Sequence, residues 1–400
     1  MCAVYILGPE RVGTVAKNSD PGYTTEAPEH TYLEDPAALP EEDRRRMLAV
    51  GVDAGDTRRS GTFLQMDHSV VHCGVRQEGL EVMGIDEALA GYPWVQDYVW
   101  RALDAAQDEF TAYAQDRSRS GYFIRALPGV KAVYPVQACL YLARERLAQC
   151  VHNIVIVEEG AELHIITGCA SGQRVMSGLH LGVSEFYVKK NAHLTFTMIH
   201  NWAEEMEVRP RTAVIVEEGG VFLSNYICLS PVRLLQTNPV AYLRGEGAVA
   251  RFNTVLVAPP GSFMDVGSQV FLAAERTRAE LIARTVTTGG GIINRGLLVG
   301  EKAGVKAHLE CRGLLLTSDG YIRAIPELEA RVAGAELSHE AAVGKIAPEE
   351  IEYLMARGLD EDEATATIVR GFLNVRIEGL PEELERQIDR ALEVSKVSAM

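Results

Sequence analysis

Lys189-Lys190-Asn191-Ala192-His193-Leu194-Thr195-Phe196-Thr197-Met198 decides the fold: a charged pair, a turn-forming residue, then side chains that alternate in character. Alternation has period two, the mark of a strand with one face in a core. The same grammar recurs along the chain. Charged residues beside a small or turn-forming one stand at Glu158-Glu159-Gly160, Lys189-Lys190-Asn191, Glu217-Glu218-Gly219, Gly245-Glu246-Gly247, Glu275-Arg276-Thr277 and Glu301-Lys302-Ala303. The steps between them are 31, 28, 28, 30 and 26 residues, and alternation resumes at Ala248-Val249-Ala250-Arg251-Phe252. A repeat of this length, with strands and almost no helical period, predicts stacked β coils. A β-sandwich is the rival, since short strands between turns look similar. The near-constant period favours the parallel β-helix.

Outward from that solenoid the pattern changes on both sides. Pro40-Glu41-Glu42-Asp43-Arg44-Arg45-Arg46 opens as a helix, with proline in the first turn and acids after it. Trp94, Tyr98, Leu103, Ala106, Phe110 and Tyr113 recur at helical spacing and predict one helix over 92–114, its aromatics packed in a core. The opening thirty residues read as loop or tail. After the coils, Pro348 with Glu349 and Glu350 starts a helix that Arg357-Gly358 closes. Asp360 and Glu363 have capping-box spacing for a second helix burying Ala364, Ile368, Val369 and Phe372, and Pro381 opens a third. The expected chain is mainly β: a mixed or helical region at 1–130, a parallel β-helix core at 131–345 and a helical domain at 346–400.

Composition narrows the function. With 400 residues, 47% of them hydrophobic, the chain can bury a large core; its net charge of −16 gives nucleic-acid binding no support. No apolar run reaches the length of a membrane span, and the first residues lack the basic start of a secretory signal. Seven scattered cysteines without a CxxC pair argue against a zinc ribbon or a disulfide framework and point to a reducing cytoplasm. Gly289-Gly290-Gly291 lacks the Lys-Ser/Thr of a P-loop and reads as a tight corner, so any ATPase is a separate subunit.

One stretch carries more than fold. Leu337-Ser338-His339-Glu340-Ala341-Ala342-Val343-Gly344-Lys345-Ile346, followed by Tyr353-Leu354 and Arg357-Gly358-Leu359, resembles the C-terminal part of the SufB/SufD family of iron–sulfur cluster assembly scaffolds. The series extends through Gly168-Cys169, Ile199-His200-Asn201-Trp202, Thr285 to Gly290, Asn294-Arg295-Gly296 and His308-Leu309-Glu310-Cys311, spanning roughly 136–375. The resemblance implies a β-helix core, a C-terminal domain that docks a SufC-like ABC ATPase, and a dimer with itself or with a SufD-like paralogue. It implies a transient [4Fe-4S] or [2Fe-2S] cluster taken from sulfur and iron donors and passed to apo recipient proteins. Cys311 falls at the cluster-accepting cysteine of the SufB branch, Glu340 at its nearby carboxylate, and His339 at a histidine shared by both branches. Cys169 falls at a second cysteine, implied to accept sulfur. His200, Tyr141, Ala143 and Glu218 depart from the family's residues along the sulfur route, so that route is not carried onto them.

The chemistry is consistent with that implication. Thiolate is the soft ligand iron–sulfur clusters use, and imidazole or carboxylate exchanges more readily, which suits a scaffold that releases its cargo. One chain is short of ligands; two chains at a twofold axis would double Cys311, Glu340 and His339. The residues themselves leave other readings open. Cys311 is in phase with Val305, Ala307 and Leu309, which makes it a core thiol by alternation, and His339 is in phase with Leu337 and Ala341. Glu340 then faces the other way, and Cys169 reads equally as structural or sulfur-handling. Cys73, Cys139, Cys150 and Cys228 read as core or surface thiols. A polysaccharide-modifying β-helix enzyme would need clustered acids in a groove, which the strands do not show, and a cofactor-free adaptor is the remaining alternative.

Overall fold

The computed structural model describes residues 22–55, 58–118 and 120–373. Cys2 and the helix expected from Pro381 lie outside the described residues. From Val136 the chain winds through a parallel β-solenoid of about eight turns. Strands Val136–Leu142, Glu162–Ser171, His193–Asn201, Val221–Cys228, Val249–Ala258, Arg278–Thr287, Lys306–Leu315 and Glu336–Gly344 stack in that order in one sheet. Ala148–Val157, Ser177–Val188, Arg211–Val216, Val240–Leu243, Phe263–Leu272, Gly291–Gly300 and Tyr321–Ala330 stack in the other.

The sequence punctuation is the corner of each coil. Gly160, Asn191, Gly219, Gly247, Arg276 and Gly304 all have left-handed backbone, with φ of 67°, 54°, 63°, 70°, 60° and 75°. That conformation costs a glycine nothing, which is why it dominates the column. It also aims each corner N–H at the next coil: Gly160 donates to the Lys190 carbonyl at 2.9 Å, Asn191 to Glu218 at 2.8 Å and Gly219 to Glu246 at 2.9 Å. Between corners, alternate side chains enter the core. Phe186 sits between Phe196 and Phe222 at ring separations of 4.7 and 5.8 Å, and Phe222 meets Phe252 at 5.6 Å. Each such pair adds about 1 kcal/mol beyond burial.

The N-terminal residues extend both sheets. Gly61–Met66 pairs in parallel with Val136–Leu142, and Tyr122–Ala126 with Ala148–Val157. The expected first helix forms as α1, Glu41–Leu48, with Pro40 at its N-cap. It anchors Met47 and the following Val50 against Tyr141, Ile166 and Ile199, and the Tyr141 hydroxyl donates to Asp43 at 2.5 Å. The single helix expected over 92–114 does not form. The chain makes α2 (Ile85–Gly91), a 3-10 turn at Pro93–Tyr98, an irregular stretch and α3 (Glu109–Arg117). The cause is Glu185, a fully buried carboxylate on Ser177–Val188. It accepts backbone N–H groups of Trp100 at 2.5 Å, Ala102 at 2.5 Å and Leu103 at 3.2 Å, offering the backbone another partner than a helix. Trp100 adopts left-handed backbone at φ 56°, which also stops helix propagation. The aromatics do pack as core, with Trp94, Tyr98, Phe110 and Tyr113 set against a cluster holding Phe123 and Tyr187.

After the last coil come α4 (Pro348–Met355) and α5 (Glu361–Leu373). The capping box closes as expected: Glu363 N–H donates to Asp360 at 2.7 Å, and Asp360 N–H to the Glu363 carboxylate at 3.1 Å. Helix α5 folds back on the solenoid flank, where Leu373, Val369 and Phe372 meet Val255 and Val286. It leaves the end of the stack open. Tyr321–Ala330 and Glu336–Gly344 end their sheets with no further strand among the described residues.

Candidate functional site

Cys311 lies in Lys306–Leu315, one strand from the open end of its sheet. It pairs in register with Ala283 behind and Ala341 ahead. Its side chain turns inward with Ala307 and Leu309 and is 3% exposed, as strict alternation requires. Space for this layer comes from Gly296 on the facing sheet: a Cβ there would lie 2.0 Å from Leu309 Cδ1. Burial pushes the thiol up to about 11; Glu310 adds to the rise and Arg284 opposes it.

His339 is the register partner of Leu309 on the terminal strand, so it shares the inward face with Cys311. No further coil covers it among the described residues, and it is exposed. Thiol and imidazole are therefore diagonal neighbours at the mouth of the solenoid. Glu340 is not with them. It pairs in register with Glu310 on the outer face, and Arg312 Nη2 donates to its Oε1 at 3.3 Å. Glu310 in turn takes Arg284 and Arg312 on one oxygen, each at 2.7 Å. Two like charges opposite one another on adjacent strands repel, and the guanidinium between them removes that cost. In the sequence Glu310 stands out only as part of His308-Leu309-Glu310-Cys311, with no partner marked for it. The repeat carries the signal: it puts Arg284 and Arg312, and likewise Glu310 and Glu340, at one-coil steps. Among the described residues no three His, Cys, Asp or Glu side chains converge on one metal position.

Cys169 is far from this mouth and fully buried. On Glu162–Ser171 it pairs in register with His200, which pairs with Cys228 on the next coil. His200 Nδ1 meets the Tyr226 hydroxyl at 2.9 Å, and its ring is 5.7 Å from Trp202 and 6.5 Å from His180. Burial drives His200 well below its ordinary pKa and the Cys169 thiol well above its own, so both are neutral in the closed solenoid. His200 Nε2 and Trp202 Nε1 are buried without a partner. Cys73, Cys139, Cys150, Cys169, Cys228 and Cys311 form no disulfide among the described residues.

The sequence that builds these coils and helices matches known proteins. The family model for "SUF system FeS cluster assembly, SufBD core domain" covers residues 140–372, more than half of the chain. The chain belongs to the SufBD family. A SufBD family iron–sulfur cluster assembly protein of Archaeoglobus fulgidus is 54% identical over 354 residues, covering 88% of this chain and 95% of that one. One from Methanothermobacter thermautotrophicus strain Delta H is 47% identical over 375 residues, covering 92% of each. One from Pyrococcus horikoshii is 30% identical over 364 residues, covering 89% of this chain and 81% of the relative. The SufBD match takes in the coils that carry Cys169, Cys311, His339 and Glu340, together with α4 and nearly all of α5.

Proposed function

We propose that this SufBD protein is a SufB-like scaffold whose cargo cluster forms at the open mouth of the solenoid, between two chains. The observation that carries the reading is the terminal coil. It holds an inward thiol and an inward imidazole on adjacent strands, with no further coil beyond them among the described residues to complete a ligand set. Soft sulfur accounts for iron affinity, and the imidazole of His339, with the Glu340 carboxylate reaching in from the rim, supplies ligands that exchange. The mouth also presents apolar side chains: Leu328, in register with buried Leu298, is 37% exposed, and Val343 is 42% exposed. Unpaired strand edges beside apolar side chains ask for a partner, and a second copy or a SufD-like paralogue fits both the edge and the missing ligands.

The C-terminal helices supply the second contact of a working scaffold. Helix α4 exposes Tyr353 at 59% and Met355 at 43% beside Glu349 and Glu350, a surface suited to a SufC-like ATPase. Cys169 is the acceptor of sulfur on this reading, and its burial means that the donor reaches it only when the neighbouring coils open. We take the assembly to be cytoplasmic; among the described residues no helix is long and apolar enough to cross a membrane. Anaerobic purification and reconstitution with ferrous iron and sulfide tests the proposal: bound iron and acid-labile sulfide with charge-transfer absorption support it, and a colourless, iron-free protein overturns it.

A further inference from the structure

Arg312 follows the candidate ligand Cys311 in the chain and points to the other face of the same strand. Its Nε takes Glu310 Oε1 at 2.7 Å and its Nη2 takes Glu340 Oε1 at 3.3 Å. Glu310 is the less exposed carboxylate, at 15%, and Arg284 holds the same oxygen from the coil behind at 2.7 Å. The guanidinium is thereby anchored at one end and presents its other end to Glu340. Next to it on the terminal strand, in register, is Ala342, too small to cover it. Glu340 keeps Oε2 without a protein partner in the hydrogen bonds and ion pairs of this network. A carboxylate fixed through one oxygen, with the other turned to solvent at the rim of the mouth, is set to offer a single oxygen to an incoming cation.

We propose that Arg312 is a positioning residue for the cluster site: it holds Glu340 in the orientation from which the carboxylate acts as an exchangeable ligand. This deepens the scaffold reading above and rests on its assignment of Glu340. Arg312 touches no iron; it acts by fixing the rotamer of Glu340 and by cancelling the repulsion between Glu340 and Glu310. Without it the carboxylate is repelled by Glu310 and free to rotate. The oxygen then spends less time at the metal, and iron leaves sooner.

The test uses the full chain reconstituted anaerobically with ferrous iron and sulfide, and reads the rate at which a ferrous chelator removes iron. Arg312→Gln releases iron about threefold to fivefold faster than wild type, the scale of one exposed ion pair, and Arg312→Lys restores part of the difference. The absorption and EPR signature of the bound cluster stays that of wild type in Arg312→Gln, because the ligands are the same, whereas Glu340→Gln alters it. Arg312→Gln/Glu340→Gln releases iron no faster than Glu340→Gln alone, because the arginine acts only through the carboxylate. Additive effects in the double variant, or wild-type release from Arg312→Gln while Glu340→Gln is fast, overturn the role of Arg312. Wild-type release and signature from Glu340→Gln itself overturn the assignment of Glu340 instead. Loss of thermal stability in Arg312→Gln with unchanged release marks the ion pair as structural and overturns the proposal.

Discussion

Cys311 and Glu340 occupy opposite faces of the last parallel strand pair. The thiol is inside, opposite Ala341, and the carboxylate is outside, opposite Glu310 and bound to Arg312. One chain therefore does not bring them to one metal ion. His339, on the inward face, is the neighbour of Cys311 within a chain, while Glu340 would reach the proposed shared site only from the rim.

That geometry ranks the candidate ligands. Cys311→Ser should lose nearly all bound iron and sulfide after anaerobic reconstitution, since no oxygen ligand replaces thiolate softness. His339→Ala should lower the bound amount more than Glu340→Gln, which should leave a full but labile cluster. Iron and labile-sulfide analysis of the three variants checks the order. A full cluster in Cys311→Ser would return that residue to the role of a buried core thiol. Because the thiol of Cys311 is raised to about 11 and must lose its proton to bind, loading should increase with pH across the neutral range.

Assembly is expected to follow the open edge. Light scattering of the wild-type chain should report about twice the monomer mass, as a twofold contact requires. Leu328→Glu places a charge among the apolar side chains of the terminal coil, at a position already 37% exposed in the single chain. It should yield a folded monomer that fails to retain a cluster. A dimer unaffected by this change would put the contact elsewhere.

Much of this was legible from the period of the repeat. The punctuation at Gly160, Asn191, Gly219 and Gly247 fell on the left-handed corner itself, because a fixed backbone conformation selects the same residue types in every coil. It drifted by one residue at Arg276 and Gly304, where a charged residue fills the corner in one coil and the charged pair precedes the glycine by two in the other. Alternation likewise placed Cys311 and His339 inward and Glu340 outward. What sequence could not give was long-range pairing of side chains. Trp94 to Tyr113 has the apolar spacing of a helix, but the breaker is Glu185, some 80 residues away in sequence, as the separations of 83 and 85 residues to Ala102 and Trp100 record. Arg312 shows the same limit in part: Glu310 shares its strand face two residues back, but Glu340 becomes its neighbour only when the coils stack.

Acid stability should report the solenoid interior. His180 is fully buried and its pKa is lowered to about 3 by desolvation, while its Nδ1–H donates to Gln149 Oε1 at 2.9 Å. A histidine held neutral in the folded state and free to charge at about 6.5 when unfolded binds more protons in the unfolded chain between those values. Stability therefore falls as pH drops from about 6.5 towards 3, by up to about 1.4 kcal/mol per unit for this group. His180→Gln should flatten the fall of denaturant stability between pH 6 and pH 4 relative to wild type, whatever its effect at pH 7. An unchanged slope would show that His180 is protonated in the folded protein.

The last expectation separates the two faces of the C-terminal helices. Leu373, Val369 and Phe372 of α5 are committed to the solenoid flank, so their loss should destabilise the chain itself. Tyr353 and Met355 of α4 are exposed, and neither joins a buried cluster among the described residues. Tyr353→Asp combined with Met355→Glu should therefore leave the melting temperature within about 2 °C of wild type, the small effect expected of surface changes. The same pair should abolish capture of a SufC-like ATPase in co-purification, because an acidic surface replaces the apolar anchors at the centre of the contact. Phe372→Ala should do the reverse, lowering the melting temperature and weakening capture only as far as the fold loosens. Undiminished ATPase capture by the Tyr353→Asp/Met355→Glu chain would move the docking surface away from α4, leaving the solenoid flank as the only face on which the helices act.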